Sequence, residues 1–71
     1  MNDKNICFKE NLRALRKEHG LKQKDLAKKL FVTQRKVSYW ETGKVEPDLT
    51  ALWDIADIFG VSIDQLLGRS N

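Results

Sequence analysis

The sequence predicts an all-α domain made of five short helices. Apolar residues recur every three or four positions over most of the 71 residues, and no stretch alternates apolar and polar residues long enough for a sheet. Glycines and cap residues interrupt this period at intervals, which marks where each helix ends. The chain contains no repeat or linker-like segment, so we expect one domain over residues 1–71 with an ordered core of about 6–68.

Cap residues set the predicted helix boundaries. The side-chain oxygens of Thr33 and Asp48 can each accept an orphan backbone N–H, so these residues start the third and fourth helices. Ser62 with Gln65 three residues later forms a capping box for the fifth. The predicted helices lie near 8–19, near 23–30, near 34–41, between Asp48 and Gly60, and between Ser62 and Gly68.

Several classes of function are disfavoured by the residues available. Cys7 is the only cysteine and His19 the only histidine, so there is no intrachain disulfide and no His/Cys metal cluster. The two would lie roughly 18 Å apart along one helix, too far for a nucleophile and its base. No phosphate-loop motif is present. We therefore expect no enzyme activity, no cofactor, no metal and no small-molecule ligand.

The sequence also suggests a cellular compartment. The chain lacks the apolar run of about 18 residues that a membrane span needs. The first residues, "MNDKNICFKENLR", contain no apolar segment typical of a signal peptide. A lone cysteine fits a reduced setting, so we expect a cytoplasmic protein with no membrane partner.

Charge divides the chain into a basic part and an acidic part. Residues 1–45 carry a net charge of +7, and residues 46–71 carry −4. Such a division predicts that one face of the domain binds a polyanion, although a random distribution of surface charge is the simpler alternative.

The third predicted helix, within "FVTQRKVSYWE", has an unusually polar outer side. Val37 and Trp40 fall about 60° apart on a helical wheel and would dock the helix. The opposite arc, about 140° wide, carries Gln34, Arg35, Ser38 and Tyr39. This arc is either an ordinary solvated face or a surface that contacts base edges.

The second and third helices form a helix-turn-helix. Only about three residues separate them, so they must cross at a large angle, and the second of the pair can enter a major groove about 12 Å wide. The stretch "GLKQKDLAKKLFVTQRKVSYWETGKVEPDL" followed by the pattern "LxxLxxIAxxFGVSIDQLL" resembles the phage-repressor and Cro family, also called the xenobiotic-response-element type. The resemblance runs from Phe8 to Leu67 and implies a compact lambda-repressor-like domain that binds double-stranded DNA.

That resemblance also implies roles for polar residues. Gln23 would meet a phosphate and brace Gln34, and Lys44 would be a second phosphate clamp. Thr33 is first an N-cap and only second a phosphate contact. We assign Lys36 a general electrostatic contribution.

On the outer arc, the amide of Gln34 can pair with adenine and the guanidinium of Arg35 with guanine. Ser38 and Tyr39 lie one turn further along. Tyr39 either contacts a base or sugar or only shields Trp40.

Four further residues bear on the structure of the motif. The family commonly pairs the acid at Glu41 with an arginine of the first helix, which here is Arg16. Lys22 stands where the family has a capping residue, so the second helix loses a side-chain cap. Phe31 stands where the family usually has glycine, and a positive φ there would cost roughly 1–2 kcal/mol unless the turn is rebuilt.

The fourth helix suggests a self-association surface. We expect Leu49, Leu52, Ala56 and Phe59 to face inward, with Ile55 at the edge and Ile58 nearly opposite. An isolated exposed apolar residue is ordinary, but the family often dimerises through its C-terminal helices. The predicted weak homodimer interface comprises Ile58, Val61, Ser62 and Ile63.

The predicted function is a sequence-specific transcriptional regulator, a repressor, that binds a two-fold operator and reads it with helix 34–41. Two copies would place their recognition helices roughly 34 Å apart. The alternative is an antitoxin-type or accessory module that acts mainly through protein–protein contacts.

Overall fold

The computed structural model describes residues 7–68, and these form five α-helices without a strand. The helices are α1 (Phe8–Glu18), α2 (Gln23–Leu30), α3 (Gln34–Thr42), α4 (Leu49–Phe59) and α5 (Ile63–Leu67). The predicted all-α architecture is confirmed, with each boundary within about one residue of its expected place. Residue 6, the first of the expected ordered core, lies outside the described residues.

Each helix contributes one side chain to the centre of the core. The five side chains with 0% exposure are Leu12, Leu26, Val37, Ile55 and Leu66, one from each helix in chain order. Burial of an aliphatic side chain of this size stabilises a fold by about 1.5–3 kcal/mol. Because the five meet in one cluster, the position of α3 is set by contacts from the rest of the domain.

The predicted caps form as expected at three helix starts. Thr33 Oγ1 accepts the backbone N–H of Lys36 at 3.1 Å, and Asp48 Oδ1 accepts that of Ala51 at 2.8 Å. The capping box of α5 forms in both directions, at 2.9 and 3.0 Å. Each such cap is worth about 1 kcal/mol of stability, which helps helices of only five to eleven residues.

The start of α2 has a different cap. The side chain of Lys22 makes no cap hydrogen bond, as expected for a residue without an acceptor. Asp25 compensates in part, since its Oδ2 accepts the backbone N–H of Lys22 at 2.8 Å. A carboxylate in the first turn also opposes the positive end of the helix dipole.

The predicted orientation of α4 was wrong in part: Ala56 and Phe59 are buried as expected, but the buried face is turned toward Ile55. Ile55, expected at the edge, is 0% exposed, whereas Leu49, expected inside, is 71% exposed. Ile58, expected on the outer side, is half-buried and packs against the core. The apolar residues of α4 cover about 180° of the wheel, so their period alone does not locate the centre of the buried face. The contacts with α2 and α5 turn the helix so that Ile55 lies at that centre.

The turn between α2 and α3 keeps the left-handed geometry typical of glycine. Phe31 has φ 59° and ψ 42°, and its side chain is 94% exposed. The backbone N–H of Val32 still donates to the carbonyl of Ala27 at 3.0 Å, so the helix end is closed normally. Phe31 therefore accepts the strain of a positive φ, and the turn is not rebuilt.

Replacing Phe31 by glycine is expected to stabilise the domain. Glycine relieves the strain of the left-handed conformation, but it also increases the conformational entropy of the unfolded chain. The net effect should raise the free energy of unfolding by about 0.5–1.5 kcal/mol. Chemical denaturation measures this directly. Phe31→Ala is the matched control, because it removes the same exposed ring but keeps the strain. Equal stability of the two variants would show that φ at this position is not the cause.

Candidate nucleic-acid interface

The two sides of α3 differ as the wheel predicted. Val37 and Trp40 are buried, at 0% and 2% exposure, and hold the helix against the core. The outer arc consists of exposed Gln34 and Arg35 and half-buried Ser38 and Tyr39. A row of amide, guanidinium, hydroxyl and phenol groups thus lies along the side of α3 that faces away from the domain.

A buried ion pair joins α3 to α1. Arg16 Nε and Nη2 donate to Glu41 Oε2 and Oε1 at 2.6 and 3.0 Å, and Arg16 Nη1 donates to the carbonyl of Leu21 at 2.9 Å. Gln23 Nε2 also donates to Glu41 Oε1, at 3.1 Å. Arg13 Nε lies 4.0 Å from the same oxygen. The predicted structural pair is therefore the centre of a network that connects α1, the α1–α2 turn, α2 and α3.

The pKa values follow from this network. Burial disfavours the charge of Glu41, but the hydrogen bonds from Arg16 and Gln23 and the charges of Arg16 and Arg13 outweigh it. Together they hold the pKa of the Glu41 carboxyl below its usual value. The hydrogen bond to Glu41 raises the pKa of the Arg16 guanidinium in turn, against the opposing effect of its own burial. Both groups are charged at neutral pH.

The structure corrects one predicted contact of Gln23. The family resemblance implied that this amide braces Gln34 at the start of α3, but it donates to Glu41 near the end of that helix. Gln23 is the first residue of α2 and half-buried. Its second amide hydrogen and its carbonyl oxygen are not used by Glu41, so a phosphate contact is compatible with this bond.

The residues predicted to contact phosphates or to add positive charge around α3 lie at both ends of that helix. Thr33 and Lys36 are exposed at the start, where the hydroxyl of Thr33 caps the helix. Lys44 is exposed just beyond the end, and its Nζ lies 5.3 Å from the centroid of the Tyr39 ring.

Lys9 is a cation that sequence reasoning missed. Its Nζ lies 3.4 Å from the place that a Cβ on Gly43 would occupy, so it sits beside the chain just before Lys44. Lys9 and Gly43 are far apart in sequence, and only the packing of α1 against α3 brings them together. No local pattern could have indicated this neighbour.

The predicted dimer residues border two surface depressions, one between α4 and the end of α2 and the other between α4 and the start of α5. Ile58 borders one together with Phe31, while residues 61–63 border another of about 360 Å³ together with Trp53. Asp57 borders both. The two halves of the predicted interface are thus neighbours across one carboxylate, and the dimer itself stays a prediction.

The described residues contain neither a metal-ligating cluster nor a membrane-spanning helix. In residues 7–68, no group of three or more His, Cys, Asp and Glu side chains could hold a metal ion. Over the same residues, no helix is both long enough and apolar enough to cross a membrane.

Comparison with known proteins identifies the family. A sequence model described as helix-turn-helix matches residues 12–66, and the chain belongs to this family. The HTH-type transcriptional activator BcrR of Enterococcus faecalis is 42% identical over 60 residues, which cover 84% of this chain and 29% of BcrR. The chain therefore spans less than a third of the length of that relative.

Solved structures confirm the predicted repressor-like fold. A transcriptional regulator from Listeria innocua matches with a TM-score of 0.87 at 42% identity, over 94% of this chain and 63% of that one. The P22 c2 repressor in complex with a synthetic operator matches with a TM-score of 0.82 at 30% identity, over 89% and 96% of the two chains.

The buried pair makes a testable contribution to stability. Glu41→Gln leaves the buried charge of Arg16 uncompensated, so the free energy of unfolding should fall by about 3–5 kcal/mol. The pKa of Glu41 is lower in the folded state than in the unfolded state. Its contribution to the free energy of unfolding is therefore fully present above the unfolded-state pKa of about 4.3, and it is lost as the pH falls through the folded-state pKa. The stability difference between wild type and variant should therefore narrow in acid.

Denaturation at pH 7 and at several acid pH values measures both effects. The control is Glu46→Gln, an exposed acid in the α3–α4 loop, which should change stability by less than about 0.5 kcal/mol. If Glu41→Gln lost no more stability than the control variant, a structural role for the pair of Arg16 and Glu41 would be contradicted.

Proposed function

We propose that this chain is a sequence-specific, double-stranded DNA-binding transcriptional regulator of the repressor type, which reads the major groove with α3. The observation that carries the proposal is the contrast between the two sides of that helix. One side is fixed by buried Val37, Trp40 and Glu41, and the other presents only polar groups. A base-reading surface needs this combination, because hydrogen bonds to base edges require side chains on a rigid support.

We assign two classes of contact. Gln34 and Arg35 would pair with base edges, and their exposure at the start of α3 supports this assignment. Ser38 extends that surface by one turn, and Tyr39 follows it on the same side of the helix as a further DNA-contacting residue. Gln23 and Lys44 supply phosphate contacts, which set register without reading sequence. Thr33 caps α3 and is a secondary phosphate contact, and Lys36 adds positive charge to the same surface.

The distribution of charge along the chain also supports an approach of DNA to the part that contains α3. The excess of positive charge lies in residues 1–45, which include α1, α2 and α3. The acidic residues of the other part of the chain lie in the loop before α4, in α4 and in α5. A DNA duplex would be attracted to the first set and repelled by the second. A cytoplasmic location, without a catalytic role, fits such a protein.

We also propose that two copies bind a two-fold operator as a weak homodimer. The contact would involve Ile58 and residues 61–63, which border the two adjoining depressions near Asp57. Two copies related in this way would bring their recognition helices to half-sites about 34 Å apart.

One observation favours the second candidate, a module that binds mainly protein. Leu49 and Trp53 lie one turn apart on α4 and are 71% and 64% exposed. Exposed apolar side chains of this size are typical of interaction surfaces. The two functions differ in salt dependence, because DNA binding through about six phosphates weakens steeply with salt and an apolar protein contact does not.

Base-reading and phosphate-binding residues should respond differently to mutation. Gln34→Ala and Arg35→Ala should each cost about 1–3 kcal/mol on the preferred site and relax preference at one base pair, because a specific hydrogen-bond pair is lost. Lys44→Ala should weaken binding to all DNA sequences by about the same factor. Selection from a random DNA pool, followed by titration of the selected site, measures both. An unchanged selected sequence for Gln34→Ala and Arg35→Ala would show that they do not read bases.

The proposed dimer can be tested by cooperativity. Ile58→Asp should lose cooperative binding to a duplex with two half-sites and keep its affinity for a single half-site, because Ile58 lies on α4, whereas the proposed DNA contacts lie on α2, on α3 and in the turns beside α3. Sedimentation with each duplex measures this, with Ile58→Ala as the control for lost packing against the core. Unchanged cooperativity in Ile58→Asp would place the dimer contact elsewhere.

A further inference from the structure

Lys44 is tied to Tyr39 through both its backbone and its side chain. Its backbone N–H donates to the carbonyl of Tyr39 at 2.9 Å, which the left-handed φ of 81° at Gly43 allows. Its Nζ lies 5.3 Å from the centroid of the Tyr39 ring. The direction of Lys44 is thus set by a residue on the outer arc of α3.

An aromatic face within about 6 Å attracts an ammonium group. The attraction matters here because a lysine side chain is long and flexible, so an unsupported ammonium would sample many positions. Among the described residues, the ion pairs involve only Arg13, Arg16 and Glu41. The charge of Lys44 therefore remains available for an anion outside the domain.

The surroundings mark the end of α3 as a cationic site. Tyr39 and Lys44 border a surface depression together with Ser38 and Gly43. The ammonium of Lys9 lies on the α1 side of Gly43. With Lys44 over one face of its ring, Tyr39 cannot place that face on a sugar or a base, and only its edge and hydroxyl are left for such contacts.

We infer that Tyr39 is a positioning residue for Lys44. Its ring holds the Lys44 ammonium over the end of α3, where the ammonium meets a DNA phosphate. Tyr39 then contributes affinity that is independent of base sequence, and it is not primarily a base-reading residue. This inference rests on the proposed DNA-binding function and adds a role to one residue of that site.

The first test needs no DNA. In the wild-type domain, the ε-methylene protons of Lys44 should show an upfield ring-current shift by NMR. The shift should persist in Tyr39→Phe, which keeps the ring, and disappear in Tyr39→Leu. Wild-type ε-methylene shifts equal to those of Tyr39→Leu would overturn the inference. Chemical denaturation of the variants records any general loss of stability.

The second test is a double-mutant cycle on DNA. Tyr39→Leu, Lys44→Ala and the double variant are titrated at several salt concentrations against a selected duplex and an unrelated duplex. Tyr39→Leu should weaken binding to both duplexes by the same factor, about two- to fivefold. Lys44→Ala should reduce the salt slope by about one, and adding Tyr39→Leu to it should have no further effect. Tyr39→Phe should bind as the wild type does.

Three outcomes would overturn the inference. Additive losses in the double variant would show that the two residues act separately. A loss confined to the selected duplex would make Tyr39 a base-reading residue, and a loss in Tyr39→Phe would assign its role to the hydroxyl. Failure of the wild type to bind either duplex would instead refute the proposed function, and the inference with it.

Discussion

The ion pair between Arg16 and Glu41 is the interaction on which the rest of the structure depends. Glu41 is the only buried acid among the described residues, and it lies on the helix proposed to meet DNA. A buried carboxylate is tolerated only when its hydrogen bonds are satisfied, and here Arg16 and Gln23 provide them. Because these partners come from α1 and α2, the angle of α3 is fixed by directional bonds as well as by apolar packing.

This arrangement explains how so small a domain can hold a polar helix in place. The inner stripe of α3 consists of little more than Val37 and Trp40, and packing through so few side chains would leave its rotation loosely specified. The network around Glu41 adds a constraint that depends on angle and distance. The outer arc is then free to carry groups chosen for contact with a partner.

The sequence was sufficient for features set by local chemistry. Thr33, Asp48 and Ser62 act as caps because a side-chain oxygen beside the first turn finds its N–H donors without help from the rest of the fold. The family resemblance located the turn at Phe31, which usually has glycine, but it left open whether the residue accepts a positive φ or the turn is rebuilt, and the structure shows the positive φ.

Features set by packing between helices were not predictable in this way. The buried face of α4 centres on Ile55 because α2 and α5 contact that side, although its apolar residues cover half of the wheel. The hydrogen bond from Gln23 to Glu41 and the position of Lys9 beside Gly43 both join elements distant in sequence. For the candidate site, residue types and faces could be predicted, but not which side chains support one another.

We propose that α3 and its two flanking turns form the surface that meets DNA. NMR titration of the domain with a selected duplex can locate that surface, because each backbone amide reports its own environment. The largest shifts are expected in residues 33–44 and at the start of α2, with little change along the exposed side of α4 near Trp53. Shifts concentrated around Trp53, with α3 unaffected, would contradict it.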